Sequence, residues 1–124
     1  MRFIPTKIHG VLDYLSGVLF IASPWLFGFA NDGAAQWVPV VAGLLLLSVS
    51  VCTDYEAGIV KVIDMPTHLI MDVLTGVLLA ASPWLFGFSD YVYLPHVLFG
   101  LLEIGAGLMT RRVPLHPRVT PSVK

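Results

Sequence analysis

Seven consecutive residues, Ser-Pro-Trp-Leu-Phe-Gly-Phe, occur twice in this chain, at Ser23–Phe29 and at Ser82–Phe88, each closing a long apolar stretch. A block of this length found twice restricts the chain to architectures built from two copies of one unit. The likeness extends backwards from the block without gaps: His9 pairs with His68, Asp13 with Asp72, Ser16 with Thr75 and Gly17 with Gly76. In a second register, Gly43 pairs with Gly100, Leu46 with Glu103, Ser50 with Gly107 and Thr53 with Thr110. Repeat one is read as residues 8–52, a connector as 53–66, repeat two as 67–110 and a basic tail as 111–124.

Composition indicates what surrounds these repeats. Hydrophobic residues make up 56% of the 124 residues and charged residues 12%, about half the charged share of a soluble domain. Too little polar surface remains to cover a water-soluble body, so lipid is the expected solvent. The net charge of -1 offers no electrostatic footprint for nucleic acid. Cys52 is the single cysteine; it has no partner for an internal disulfide, fits no metal-ligand spacing, and is expected to be an ordinary apolar helix residue.

Crossing the hydrocarbon takes about 20 apolar residues, within roughly 17–25. Four segments approach this length: Ile8–Phe29, Trp37–Cys52, Leu69–Phe88 and Tyr93–Met109. Each is expected to be helical, because a helix pairs its own amides where water is absent. The second is short, and its ends are expected to be extended by flanking residues or met by local thinning of the bilayer. Arg2 and Lys7 precede the first span as in a secretory signal, but no small-residue cleavage site follows and the segment recurs inside the chain, so it is expected to be retained.

The charges predict an orientation. Arg2 and Lys7 precede span one, Lys61 lies between spans two and three, and Arg111, Arg112, Arg118 and Lys124 follow span four, whereas Ala30–Gln36 and Ser89–Val92 contain no Lys or Arg. All seven basic residues fall on one side of a four-span topology, which the positive-inside rule makes cytoplasmic. The expected location is the cytoplasmic (inner) membrane, multi-pass, with both termini inside. Trp25, Trp37, Trp84, Tyr91, Tyr93 and neighbouring phenylalanines gather at the opposite interface, where amphipathic rings prefer to sit. Asn31-Asp32-Gly33 is turn chemistry, with the glycine available for a positive φ. The connector carries Asp54, Tyr55, Glu56, Lys61 and Asp64 around Ile59-Val60 and is expected to lie as a short amphipathic segment on the inner surface. The proline-rich tail is expected to lack a fold and to be drawn weakly to anionic lipid.

The doubled Ser-Pro-Trp, the opening Ile4-Pro5-Thr6 and the Asp54-Tyr55-Glu56 between the repeats resemble the SPW repeat family of small bacterial membrane proteins. The resemblance covers the chain to about Met109. It implies two-helix membrane repeats with the motif in the first helix of each, and no established activity, so it supplies no catalytic or ligand residues.

Within the motif, Pro24 and Pro83 lack an amide hydrogen and displace the carbonyls of Phe20 and Leu79, kinking a continuous helix. Ser23 and Ser82 can re-satisfy a freed carbonyl. Alternatively the first helix ends there, and Ser23 and Ser82 cap a short second helix that begins at Pro24 and Pro83 and carries Trp25 and Trp84 along the interface.

Polar residues inside the spans are the remaining candidates. His9 and Asp13, like His68 and Asp72, are four apart and share a helix face. One reading is that these pairs satisfy themselves and hold the repeats together; the sharper one is a cluster that carries protons or binds a divalent metal. Glu103 breaks the repeat, and its neighbours Gly100 and Gly107 place it on a small-residue face that favours close helix contact. The cations within its reach are histidines, either His96 or one of the paired ones; His96 itself reads as a packing residue near the outer end. No phosphate loop, nucleophile elbow or cysteine cluster is recognisable.

The expected fold is an all-α integral membrane protein, four transmembrane helices arranged as two tandem hairpins in a four-helix bundle. The expected function is non-catalytic, structural or partner-binding, with no cofactor and no metal. The alternative is a small proton-coupled or ion-conducting protein using Asp13, Asp72 and Glu103. The expected partners are the lipid bilayer and either a second copy or another membrane protein, and not nucleic acid.

Overall fold

The computed structural model describes residues 2–113 and has four helices: α1 (Thr6–Leu26), α2 (Ala34–Val51), α3 (Met65–Leu85) and α4 (Leu94–Met109). The expected tail lies almost wholly outside the described residues. Helix α3 begins a turn earlier than apolarity alone suggests, because Asp64 accepts a hydrogen bond from the Thr67 amide (2.9 Å) and Pro66 stands in the first turn, both strong starting signals. Helix α2 likewise starts before Trp37 and reaches 18 residues. Helices α2 and α3 are long and apolar enough to cross a membrane; α4 is shorter.

The repeated block is a helix ending. Helices α1 and α3 run through Pro24 and Pro83, and the hydroxyls of Ser23 and Ser82 donate to the freed carbonyls of Phe20 (2.8 Å) and Leu79 (2.7 Å). The serines are therefore not caps of a second helix. Two residues past the helix ends at Leu26 and Leu85, Gly28 and Gly87 take φ of +75° and +74°, the left-handed C′ conformation that glycine adopts without strain. Phe29 and Phe88 then return their amides to Pro24 O and Pro83 O (2.8 and 2.7 Å), the long bond of a Schellman ending. Both phenylalanines are buried, whereas Trp25 and Trp84 face outward.

Each hairpin is held by a glycine contact. A Cβ on Gly43 would lie 2.6 Å from Gly17 O, and one on Gly100 2.5 Å from Gly76 O, so α1–α2 and α3–α4 approach backbone to backbone. The hairpins join head to tail by matching hydrogen bonds. Phe3 and Ile4 donate to Met109 O (2.8 and 2.9 Å) and Arg111 donates to Ile4 O (2.9 Å); correspondingly, Val62 and Ile63 donate to Cys52 O (3.1 and 2.8 Å) and Asp54 donates to Ile63 O (2.7 Å). Cys52 thus marks the end of α2 rather than lying within a helix.

Two connections differ from expectation. In the α1–α2 turn the positive φ falls on Asp32 (60°) and not on Gly33, with Asn31 Oδ1 accepting the Gly33 amide at 2.9 Å. In the Thr53–Asp64 connector Tyr55 is fully buried rather than on the surface, while Ile59, Val60 and Val62 project from it, exposed.

The distribution of polarity is the reverse of a water-soluble protein. Ile8, Val11, Leu15, Leu74, Leu98 and Leu101 are exposed, whereas His9, Asp13, His68, Asp72, His96 and Glu103 are buried. An apolar layer of Phe20, Ala42, Leu46, Leu79 and Phe99 fills the middle of the bundle. At the motif end lie Phe29, Phe88 and Ala35. The polar cluster lies at the opposite end, with Tyr55, Met65 and Leu69 packed beside it.

Candidate functional site

The four repeat-related residues converge on one point. His9 Nε2 lies 2.8 Å from Asp72 Oδ2 and 3.0 Å from Asp13 Oδ1, and His68 Nε2 lies 3.1 Å from Asp13 Oδ2 and 3.3 Å from Asp72 Oδ2. The pairs expected to satisfy themselves within one helix are therefore shared across α1 and α3. The His9 contact to Asp72 is a hydrogen bond. His68 Nε2, fully buried, sits close to both carboxylates yet is aligned with neither for one. The two imidazole rings meet edge to face, centroids 5.3 Å apart.

A second layer of side chains orients these four. Thr110 Oγ1, at the end of α4, lies 2.7 Å from His9 Nδ1; Thr53 Oγ1, just past the end of α2, lies 2.7 Å from His68 Nδ1. Each repeat's histidine is thus held by the other repeat's threonine across the head-to-tail junction. Thr53 also donates its hydroxyl hydrogen to Val49 O (2.6 Å), so it can only accept from His68, whose Nδ1 carries the proton. Tyr55 donates to Asp13 Oδ2 (2.6 Å). Burial first, and then the Asp13 charge, push the Tyr55 phenol above its ordinary range, because both disfavour a phenolate.

Sequence reasoning paired Thr53 with Thr110 but assigned neither a role, and it left Tyr55 on the surface. The signal was available for the threonines: both follow the second helix of their repeat. An aromatic ring in an otherwise polar connector was the weaker signal for Tyr55.

Glu103 and His96 stand apart from the cluster centre. Glu103 is buried and lines a cavity of about 10 Å³ with Asp72, Thr75, Leu46, Val49 and Met71. His96 does not meet Glu103. It lies near the other end of the bundle between the rings of Phe29 and Phe88 (centroids 5.1 and 4.8 Å) and donates from Nε2 to Ala35 O (2.8 Å). Pro39, inside α2, has no amide for the Ala35 carbonyl four residues earlier, and His96 supplies the missing donor. Ser23, Pro24, Trp25, Ser82, Pro83 and Trp84 form the two helix endings already described and are far along the helices from the cluster.

A helical body with apolar side chains outside, polar ones inside and two helices able to cross a bilayer defines a membrane protein. The chain belongs to the SPW repeat family, whose repeat-domain profile matches residues 7–110. No curated protein and no solved structure matches it significantly.

Proposed function

We propose that this is a four-span protein of the cytoplasmic membrane, both termini inside, that performs no catalysis of its own and serves as a structural or partner-binding membrane component. The observation that carries this reading is the crossed pairing of His9 with Asp72 and His68 with Asp13. Buried ionisable side chains in a membrane tend to face protein and to pair, and these four lie against one another while Thr110, Thr53 and Tyr55 hold His9, His68 and Asp13. They clamp repeat to repeat. The basic residues Arg2, Lys61 and Arg111 belong to the same end as the clamp, in agreement with a cytoplasmic placement. Lipid covers the apolar exterior, and a second copy or another membrane protein is the partner such faces suit; nucleic acid is not.

A second reading is proton or cation passage through Asp13, Asp72 and Glu103, favoured by the cavity that Asp72 and Glu103 share. The apolar layer of Phe20, Leu46, Leu79 and Phe99 lies across that route and supports the first reading. Purified protein in liposomes containing a pH-sensitive dye separates the two. Proton flux equal to that of empty vesicles is expected. Flux above that level, lost in the Asp13→Asn/Asp72→Asn double variant while the fold is retained, would replace the clamp with a conduction path.

A further inference from the structure

We propose that His9, Asp13, His68 and Asp72 are the four ligands of one Zn²⁺ ion at the centre of the clamp. This inference rests on the reading of these residues as a clamp and assigns the clamp its ligand. One donor atom from each residue lies within 4.8 Å of all the others, and all four residues are buried. Zinc bonds of about 2.0–2.1 Å in a tetrahedron place neighbouring donors about 3.3 Å apart. The nitrogen–oxygen contacts run from 2.8 to 3.3 Å but use both oxygens of Asp13; with one donor from each residue all four lie within 4.8 Å, so the widest pair has to close by at most about 1.5 Å to hold the ion.

The proton positions point the same way. Because Thr53 gives its own hydrogen to Val49 O, His68 is protonated at Nδ1. In its neutral form the ring therefore turns a bare Nε2 lone pair toward two carboxylate oxygens at 3.1 and 3.3 Å, an arrangement that is repulsive until either a proton or a metal cation occupies the space between them. Nε2 is buried and has no hydrogen-bond partner, which leaves that lone pair free to ligate. Donation from the remote ring nitrogen to a fixed oxygen is how metal-bound histidines are usually oriented, and His9 has the equivalent contact to Thr110. The Tyr55 hydroxyl on Asp13 Oδ2 steadies one carboxylate in the same manner.

Charge and donor type select the metal. Two carboxylates and a divalent ion sum to zero, which suits a buried site. Two imidazoles and two carboxylates without a thiolate, closed by four protein ligands, match structural zinc better than soft Cu⁺ or the octahedral oxygen sites of Mg²⁺ and Mn²⁺. A closed site holds structure and leaves no position for substrate.

The test uses full-length protein in detergent, stripped with chelator and titrated with ZnCl₂ alone. One equivalent of zinc by elemental analysis and a raised melting temperature are expected. Co²⁺ should substitute and produce the intense visible absorption of a tetrahedral centre. His68→Gln should abolish the Co²⁺ spectrum, His96→Gln should leave it intact, and Thr53→Val should weaken zinc binding about 10–100-fold. If His68→Gln does not fold, wild-type stoichiometry and the Co²⁺ spectrum decide. Folded wild-type protein that takes up no zinc above the buffer blank overturns the site. The clamp fails separately, if removing Asp13 or Asp72 leaves metal-free stability unchanged.

Discussion

His9 on α1 and Asp72 on α3 meet at 2.8 Å, joining the first helix of one repeat to the first helix of the other. Helices α1 and α3 share few other contacts, since each packs mainly on its own hairpin partner. The polar cluster therefore contributes disproportionately to how the two hairpins are arranged.

Removing one member of this buried pair should be costly. Asp72→Ala removes the acceptor of the His9 hydrogen bond and leaves His9 with Asp13 alone; it is expected to lower stability by about 3 kcal/mol, the lower end for a broken buried pair. His9→Ala with Asp72→Ala should cost less than the two single changes added together. Denaturant unfolding in detergent measures both, and additivity within error would show that the two side chains do not act on each other.

Tyr55→Phe removes only the hydroxyl that Asp13 accepts and should cost about 1.5–3 kcal/mol, the range for hydrogen bonds to charged groups. The effect should also depend on pH. The folded-state pKa of Tyr55 lies above its ordinary value of 10.0, so its contribution is fully present below pH 10 and is lost as the pH rises toward the folded-state value. The wild-type protein should therefore lose stability in strong alkali faster than the phenylalanine variant. Parallel curves would contradict the burial of this phenol.

Gly28 and Gly87 have open space around their Cα atoms but positive φ. Alanine at either position meets no neighbour and is penalised only by conformation, about 1–2 kcal/mol per site. Because the two endings are separate, the double variant should show the sum. Thermal melts of the three variants check this.

Gly100 presents the opposite case, a helical glycine whose Cβ would strike the Gly76 carbonyl at 2.5 Å. Gly100→Val should force α3 and α4 apart and cost at least the 1–3 kcal/mol typical of overpacking. On the same helix Gly105 has nothing within 4 Å, so Gly105→Ala should stabilise by up to about 1 kcal/mol through helix propensity. Opposite signs in two glycine substitutions on one helix are the readout.

Much of this arrangement was legible from residue order. The helices follow from apolar length, and the Ser-Pro pair marks where each first helix is disturbed; that the helix continues through the proline and ends at a positive-φ glycine was shown only by the structure. Glu103 could be placed on a helix contact from its small neighbours. The position of Tyr55 was not legible, since its connector is polar and only the head-to-tail junction creates the hole that the ring fills.

Residue order alone determined that two like hairpins exist and that His9 with Asp13, and His68 with Asp72, share a face. Only the tertiary structure decided that each histidine reaches the other repeat's aspartate and the other repeat's threonine. Helical spacing specifies which side chains point in the same direction, whereas the partner they meet depends on how α1 and α3 cross. That arrangement is set by the junction hydrogen bonds and side-chain contacts between segments remote in the chain.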